Sequence, residues 1–212
     1  MLTIWLNYMV KKELDRSTEE KILAAAKKVF TTRGMTGARM QDIADAAGIN
    51  KALLHYYFRS KEKLFETIFK EVVKDFLPRI NELFESDKSV VEKIEMFCME
   101  YIDQIKKTPY LPVFILNEIN QQPEALVKKM WGNRKPPVNQ FFQQIQKEIK
   151  QGKIKAVHPA QLLMNMLSLC VFPFAARPIL ELVGGISKKQ FDELMDERKK
   201  LVPQLIIASI KK

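Results

Sequence analysis

Apolar residues recur at three- and four-residue intervals along most of this 212-residue chain, and no stretch alternates apolar with polar residues long enough to make a strand. The pattern predicts an all-α protein. Ser17 with Glu20 has capping-box spacing, so a first helix is expected from there, with Ile22, Ala26, Val29 and Phe30 on its buried side and an end at Arg33-Gly34. Met40, Ile43, Ala44 and Ala47 mark a second helix that closes at Gly48, and Asn50 is a suitable N-cap for a third. Two short helices joined through Ala46-Ala47-Gly48-Ile49 match a helix-turn-helix. Gly48 supplies the left-handed turn residue, Ala44 lets the helices approach, and Ile49 plugs the core between them.

Ser60 is the next N-cap, with Glu62 in the first turn where the helix dipole favours an acid. Leu64, Phe65, Ile68, Phe69, Val72 and Val73 give that helix its apolar side, and Pro78 is expected to end or kink it. Ser89 and Glu92 form another capping box, for a helix running to about Lys107. Further helices are predicted over about 110–120, 123–131 and 136–151, separated by Pro109, Pro123 and the Pro136-Pro137 pair. A long apolar helix over 159–184 should be bent by Pro173 and Pro178, and a last one opens at Ser187 with Gln190 in capping-box position.

Composition sharpens this picture in three places. Only seven glycines and a hydrophobic content of 47% favour helices. Cys98 and Cys170 each stand between apolar neighbours, which suits reduced, buried thiols rather than a disulfide or an oxidant sensor. The opening MLTIWLNYMV is apolar but too short to span a membrane, and it has neither a preceding basic residue nor a small-residue cleavage site. Two readings of it stand open: an apolar tail packed on the surface, or a start at Met9.

The formal charge of +10 is unevenly spread. Residues 10–63 carry twelve Lys/Arg against seven Asp/Glu, residues 64–126 seven against twelve, and residues 127–155 eight against one. A basic N-terminal segment is the electrostatic footprint expected of a nucleic-acid-binding module. The second basic stretch reads as a solvated face or as an attractor for an anionic ligand.

Within the basic segment, MQDIADAAGINKALLHYYFRSKEKLF (residues 40–65) carries a specific likeness. The region from Thr18 to about Val73 resembles the DNA-binding region of the TetR family of bacterial transcriptional regulators. A helix that enters the major groove must expose donors and acceptors on one face while its other face holds the three-helix core. Leu54 and Phe58, at i and i+4, are the natural inward residues, leaving Asn50, Lys51, Leu53, His55 and Tyr56 outside and Tyr57 at the edge. The resemblance implies that Lys51, Leu53 and, from the supporting helix, Gln41 meet base edges. It implies too that His55, Tyr56, Tyr57 and Lys61 touch the phosphate backbone or groove wall.

Three positions depart from the family's habit. His55 stands where Tyr is common, either as a protonation-sensitive contact or as a neutral replacement for the phenol. Arg39 replaces a Ser or Thr cap on the second helix, losing a side-chain cap and adding a possible phosphate partner. Leu53 replaces a small or hydroxylated residue and suits a thymine methyl. RNA binding is disfavoured, because neither sheet aromatics nor a GXXG loop is present.

The resemblance divides the chain into a tail (1–16), a helix-turn-helix DNA-binding domain (17–60) and a larger helical effector-binding and dimerisation domain (61–212). Phe97, Tyr101, Phe114, Trp131, Phe141, Met166 and Phe172, with Asn117 and Asn165, supply aromatic walls and scattered amides of the kind that bind a mostly apolar small molecule. Arg177, almost alone as a charge between His158 and Glu181, is placed to pair an acidic ligand or an interface carboxylate. The last two helices, with Leu162, Met166, Leu169, Phe191, Leu194, Leu201 and Leu205, carry more apolar surface than one face requires, suiting a mixture of monomer core and homodimer interface.

Enzymatic readings find no support. The two histidines stand beside no metal-spaced cluster, and no phosphate loop or nucleophile motif appears. The expectation is a cytoplasmic, homodimeric, ligand-responsive repressor of a palindromic duplex-DNA operator, released by a small-molecule effector, with no cofactor, metal or membrane partner. The competing class is a helical adaptor that keeps the fold without operator binding.

Overall fold

The computed structural model describes the backbone of residues 2–132 and 136–212, and the side chains within them apart from those of residues 2–14, Asp75, Phe114, Asn117 and Gln121. Eleven helices and no strand occur among the described residues. The chain falls into two compact units, Met1–Val72 and Val73–Lys212.

The first unit holds α1 (Leu2–Gly37), α2 (Met40–Ala47), α3 (Lys51–Tyr57) and the first half of α4 (Lys61–Glu85). α1 differs from expectation at its start. It runs unbroken through Ser17, which therefore caps nothing. Between Leu2 and Arg33 there is no Gly or Pro to stop a helix, and a capping box works only where the residue before it is non-helical. The expected stop is real: Gly34 adopts φ 67°, ψ 174° inside the segment. Ile22, Ala26, Phe30, Ile43, Ala44, Leu54, Leu64, Phe65 and Ile68 are buried together in this unit, with the Phe30 and Phe65 rings edge to face at 5.2 Å. Lys27 ties α1 to α4 through Glu71, Nζ to Oε2 at 2.6 Å.

The second unit continues with α5 (Val90–Lys107), α6 (Leu111–Gln121), α7 (Pro123–Trp131), α8 (Val138–Lys150), α9 (Pro159–Ala175), α10 (Arg177–Gly184) and α11 (Lys188–Ile210). The capping boxes at Ser89–Glu92 and Ser187–Gln190 form as predicted. α4 continues through Pro78. The long apolar helix breaks at Ala176 into α9 and α10, bent by 63°. Pro178 has no N–H to offer the carbonyl of Phe174, and it sits in the first turn of α10, where that loss costs nothing. No single helix among the described residues is long and apolar enough to cross a membrane.

One core joins α4, α5, α8, α9 and α11, from Ile80 and Phe84 on α4 through Ile94, Phe97 and Cys98 on α5 and Phe141 on α8 to Met166 and Cys170 on α9 and Phe191 and Ile206 on α11. Within it Lys93, 1% exposed, donates from Nζ to the carbonyl of Phe84 at 2.8 Å and to Gln144 Oε1. Gln144 Nε2 in turn donates to Glu148 Oε1 at 2.9 Å, and the same oxygen accepts from the Val90 N–H at 3.1 Å. Burial pulls the Lys93 ammonium below the usual lysine range, with the acids Glu148 and Asp87 pulling the other way.

Candidate nucleic-acid interface

The turn between α2 and α3 is set by Gly48, at φ 68°, ψ 32°, a conformation costly for any side chain with a Cβ. Its N–H donates to the carbonyl of Asp45 at 3.1 Å, and the Ile49 N–H to that of Ala44 at 3.0 Å, closing the end of α2. Asn50 then caps α3, its Oδ1 accepting from the Leu53 N–H at 2.7 Å. Leu54 is fully buried and Phe58 nearly so, which turns the opposite face of α3 outward. On that face Asn50, Lys51, Leu53 and His55 are exposed, Tyr56 is 75% exposed, and Tyr57 is half-buried at the edge. The expected outward residues therefore share one surface.

Arg39 precedes α2 with extended backbone and gives no side-chain cap, as its lack of an acceptor dictates. Asp42 does half of that work from inside the helix, its Oδ2 accepting from the Arg39 N–H at 3.1 Å and from Arg33 Nη1 at 2.6 Å. Burial would raise the Asp42 carboxyl, but the hydrogen bonds from Arg33 and the Arg39 amide outweigh it and hold it below the usual carboxylate range. The Arg39 side chain stays exposed.

Besides Asn50, which caps its own helix, four of the expected DNA-facing side chains already have hydrogen-bond partners inside the chain. Lys61 donates from Nζ to the carbonyls of Met35 at 2.8 Å and Ala38 at 3.1 Å, so it ties down the strap between α1 and α2 and keeps one N–H to spare. Tyr57 donates its hydroxyl to Asp15 Oδ1 at 2.8 Å, and that bond, with burial second, raises the phenol above its usual range. Gln41 Nε2 donates to Asp45 Oδ1 at 2.8 Å. His55 Nδ1 lies 3.3 Å from the carbonyl of Arg59, an acceptor, so Nδ1 carries the hydrogen and Nε2 is the outer nitrogen. Sequence reasoning missed Asp15, Asp42 and Asp45. The i,i+4 spacing of Gln41 and Asp45 was a readable signal, whereas Asp15 and Tyr57 are separated by 42 positions.

The expected effector-binding residues do not all converge. Phe97, Phe141 and Met166 lie fully inside the core, with Phe84 stacked on Phe141 at 4.8 Å and on Phe97 at 5.6 Å. Tyr101 stacks on Phe97 at 5.0 Å, and burial pushes its phenol up to about 12. Trp131 donates from Nε1 to Asn81 Oδ1 at 3.4 Å. Asn165 and Phe172 do not join this wall: both are exposed, Phe172 by 64%, because they lie on the outer face of α9 while Leu162, Met166 and Cys170 take the inner one. The side chains of Phe114 and Asn117 lie outside the described residues.

Arg177 is held within the chain, its Nε 2.8 Å from Glu181 Oε1, its Nη1 3.7 Å from Asp192 Oδ1 and its guanidinium 4.4 Å above the Phe191 ring. A separate cleft of about 230 Å³ is lined by Gly184, Gly185, Ile186, Gln190, Glu193, Leu194 and Glu197, none of them among the expected effector-binding residues. Cys98 and Cys170 are free and buried, and their mutual hydrogen bond, with burial second, pushes the Cys170 thiol up, away from the reactive thiolate. Among the described residues no group of His, Cys, Asp and Glu side chains could hold a metal ion.

The residues that build this surface lie within a stretch that matches a known family. Residues 22–68 match the family model described as bacterial regulatory proteins, tetR family. The HTH-type transcriptional regulator RutR of Escherichia coli (strain K12) is 23% identical over 193 residues, covering 91% of this chain and 90% of its own. The HTH-type transcriptional repressor NicS of Pseudomonas putida is 42% identical over 65 residues, 31% of this chain and 30% of its own. Among solved structures, a mutant of HlyIIR superimposes with a TM-score of 0.61 at 26% identity, covering 93% of this chain and 99% of that one.

Proposed function

The chain belongs to the tetR family of bacterial regulatory proteins and is not an enzyme, and from that premise we propose that it is a ligand-responsive repressor that binds a palindromic operator as a homodimer in the cytoplasm. The observation that carries the reading is the outer face of α3, where Lys51, Leu53, His55 and Tyr56 stand exposed on a helix clamped from beneath by Leu54 and Phe58. Such a face offers a donor, an apolar contact for a thymine methyl and rings for the groove wall. Arg39 and Lys61 flank it with charge for phosphates.

One such module makes few contacts, so tight binding calls for two, related by the symmetry of the operator. The second unit supports self-association. Leu194, Leu201 and Leu205 form an exposed stripe along α11, and Met164, Leu167 and Phe172 are exposed on α9. Apolar groups gathered at that density on two adjacent helices suit burial against a second copy. The effector would enter the second unit, beside the ring stack of Phe84, Phe97, Tyr101 and Phe141, and favour a spacing of the two recognition helices that no longer fits the operator.

The test is a titration of the intact protein with duplex DNA from upstream of its own gene at several salt concentrations. A sequence-preferring complex whose affinity falls steeply with salt is expected. Binding that shows no sequence preference at any tested site defeats the proposal. Leu201→Glu should convert dimer to monomer in sedimentation, and an unchanged dimer would exclude the α11 stripe as the interface.

A further inference from the structure

Asp45 is an acid on a helix that, in the proposed complex, lies beside a polyanion, where a carboxylate repels phosphate. Its side chain makes one hydrogen bond, accepting at 2.8 Å from Nε2 of Gln41 one turn earlier. Both residues are exposed, and the i,i+4 spacing places them on one face of α2. A carboxylate has no hydrogen to give. The amide of Gln41 must therefore turn its NH2 toward Asp45, which leaves Oε1 as the outward group together with one remaining N–H.

We propose that Asp45 is a positioning residue that fixes the Gln41 amide as a hydrogen-bond acceptor, so that the base it meets on the contacted strand is adenine or cytosine. In the major groove those two bases present an amino donor, N6 of adenine or N4 of cytosine, whereas guanine and thymine present carbonyl acceptors. A free glutamine flips to suit either class. A glutamine held by a carboxylate does not, because the flip sets Oε1 against Oδ1 and leaves the NH2 without its acceptor. The remaining N–H suits adenine N7, which makes adenine the better of the two. The proposal rests on the major-groove reading of α2 and α3 and adds a rule for one base position.

The experiment is selection of duplexes from a randomised pool by the full-length protein and its variants, followed by affinity measurement at the selected sites. Wild type should select one position as adenine or cytosine, and Gln41→Ala should lose the preference there. Asp45→Ala should lose it at the same position, by about tenfold, the scale of one well-formed base contact. It should also bind every duplex somewhat tighter, because a negative charge has gone. Asp45→Asn brings an amide that can give a hydrogen as well as take one, so it should lose the preference as Asp45→Ala does, whereas Asp45→Glu keeps an acceptor-only carboxylate and should retain most of it. That contrast separates a bond of fixed direction from a merely packed or bonded neighbour.

An unaltered base preference in Asp45→Ala would overturn the proposal, as would a Gln41-dependent position that is guanine or thymine in the wild-type site. Should Asp45→Ala lose its helical circular dichroism, Gln41→Glu takes its place: a carboxylate accepts only, so a retained adenine or cytosine supports the proposal and a switch to guanine or thymine sinks it. Failure of the wild type to select any sequence would instead count against the regulator reading itself.

Discussion

Lys61 illustrates how a residue expected to hold DNA can be needed first by the fold. Its ammonium donates to the carbonyls of Met35 and Ala38, at 2.8 and 3.1 Å, at the strap that turns the chain from α1 into α2. Lys61→Met keeps the aliphatic stem and removes both bonds. Hydrogen bonds to a charged group are worth about 1.5–3 kcal/mol when buried. Lys61 is half-exposed and water can replace it in part, so about 1 kcal/mol for each bond is the reasonable scale, or about 2 kcal/mol for the strap. Amide hydrogen exchange across residues 35–47 reads this locally: exchange there should speed up about 30-fold, while the core of the second unit is untouched. The DNA titration reads the other role. One N–H of Lys61 is left for a phosphate, so the variant should also lower the salt slope by roughly one unit and weaken all duplexes alike. Unchanged exchange over 35–47 in a folded Lys61→Met protein would refute the structural half of this reasoning, and an unchanged slope would refute the other.

Other consequences are simpler to check. Lys51→Ala should cost about 1–3 kcal/mol at one base pair and relax sequence choice there, read from the affinities of single-substitution duplexes. Asp15→Ala removes the acceptor of the Tyr57 hydroxyl, leaving its bond with Thr18, and takes a negative charge from beside the surface proposed to meet DNA; affinity measured by fluorescence anisotropy should rise about fivefold, and a folded variant that binds no tighter would refute the idea that Asp15 competes with a phosphate. In the second unit Lys199 bridges Asp103 and Asp196, and Lys106 reaches Asp196 at 2.6 Å. Hydrogen bonds from Lys106 first and Lys199 second lower the Asp196 carboxyl, so its contribution is complete above the usual carboxylate range and is lost as pH falls through the lowered value. Bonds to Asp103 first and Asp196 second raise Lys199, so that contribution is complete below the usual lysine value and is lost as pH climbs through the raised one. Urea midpoints should thus be flat near neutrality and fall at both extremes. Asp196→Asn should remove its own share of the acid limb, about 0.5 kcal/mol for so exposed a pair, and leave the shares of Asp42, Glu66 and Glu92, whose carboxyls are also lowered.

The features of this fold that could be read in the chain beforehand are the local ones. Asn50, Ser89 and Ser187 cap their helices through partners three residues on, and Gly48 declares its turn by being the residue that tolerates a positive φ. Leu54 and Phe58 come from the helical period alone. The same local rule misled at Ser17, because a capping box specifies the turn after a cap and says nothing of whether the residues before it are themselves helical. Phe172 failed for a related reason: it was chosen for its ring rather than its angle, and two positions beyond Cys170 is roughly 200° around the helix, on the outer face.

The contacts made across long stretches of chain, Tyr57 to Asp15 and Lys61 to Met35, depend on how α1 packs against the later helices, and no window of sequence holds both partners. They matter for function because each competes for a group that a phosphate would otherwise take. A side chain that already has a partner gives a phosphate only the difference between two bonds, which is smaller than either. The affinity of this interface should accordingly rest on Lys51 and Arg39, whose charged ends have no such tether among the described contacts, and its selectivity on Lys51 again, with Leu53 and with Gln41, which Asp45 holds.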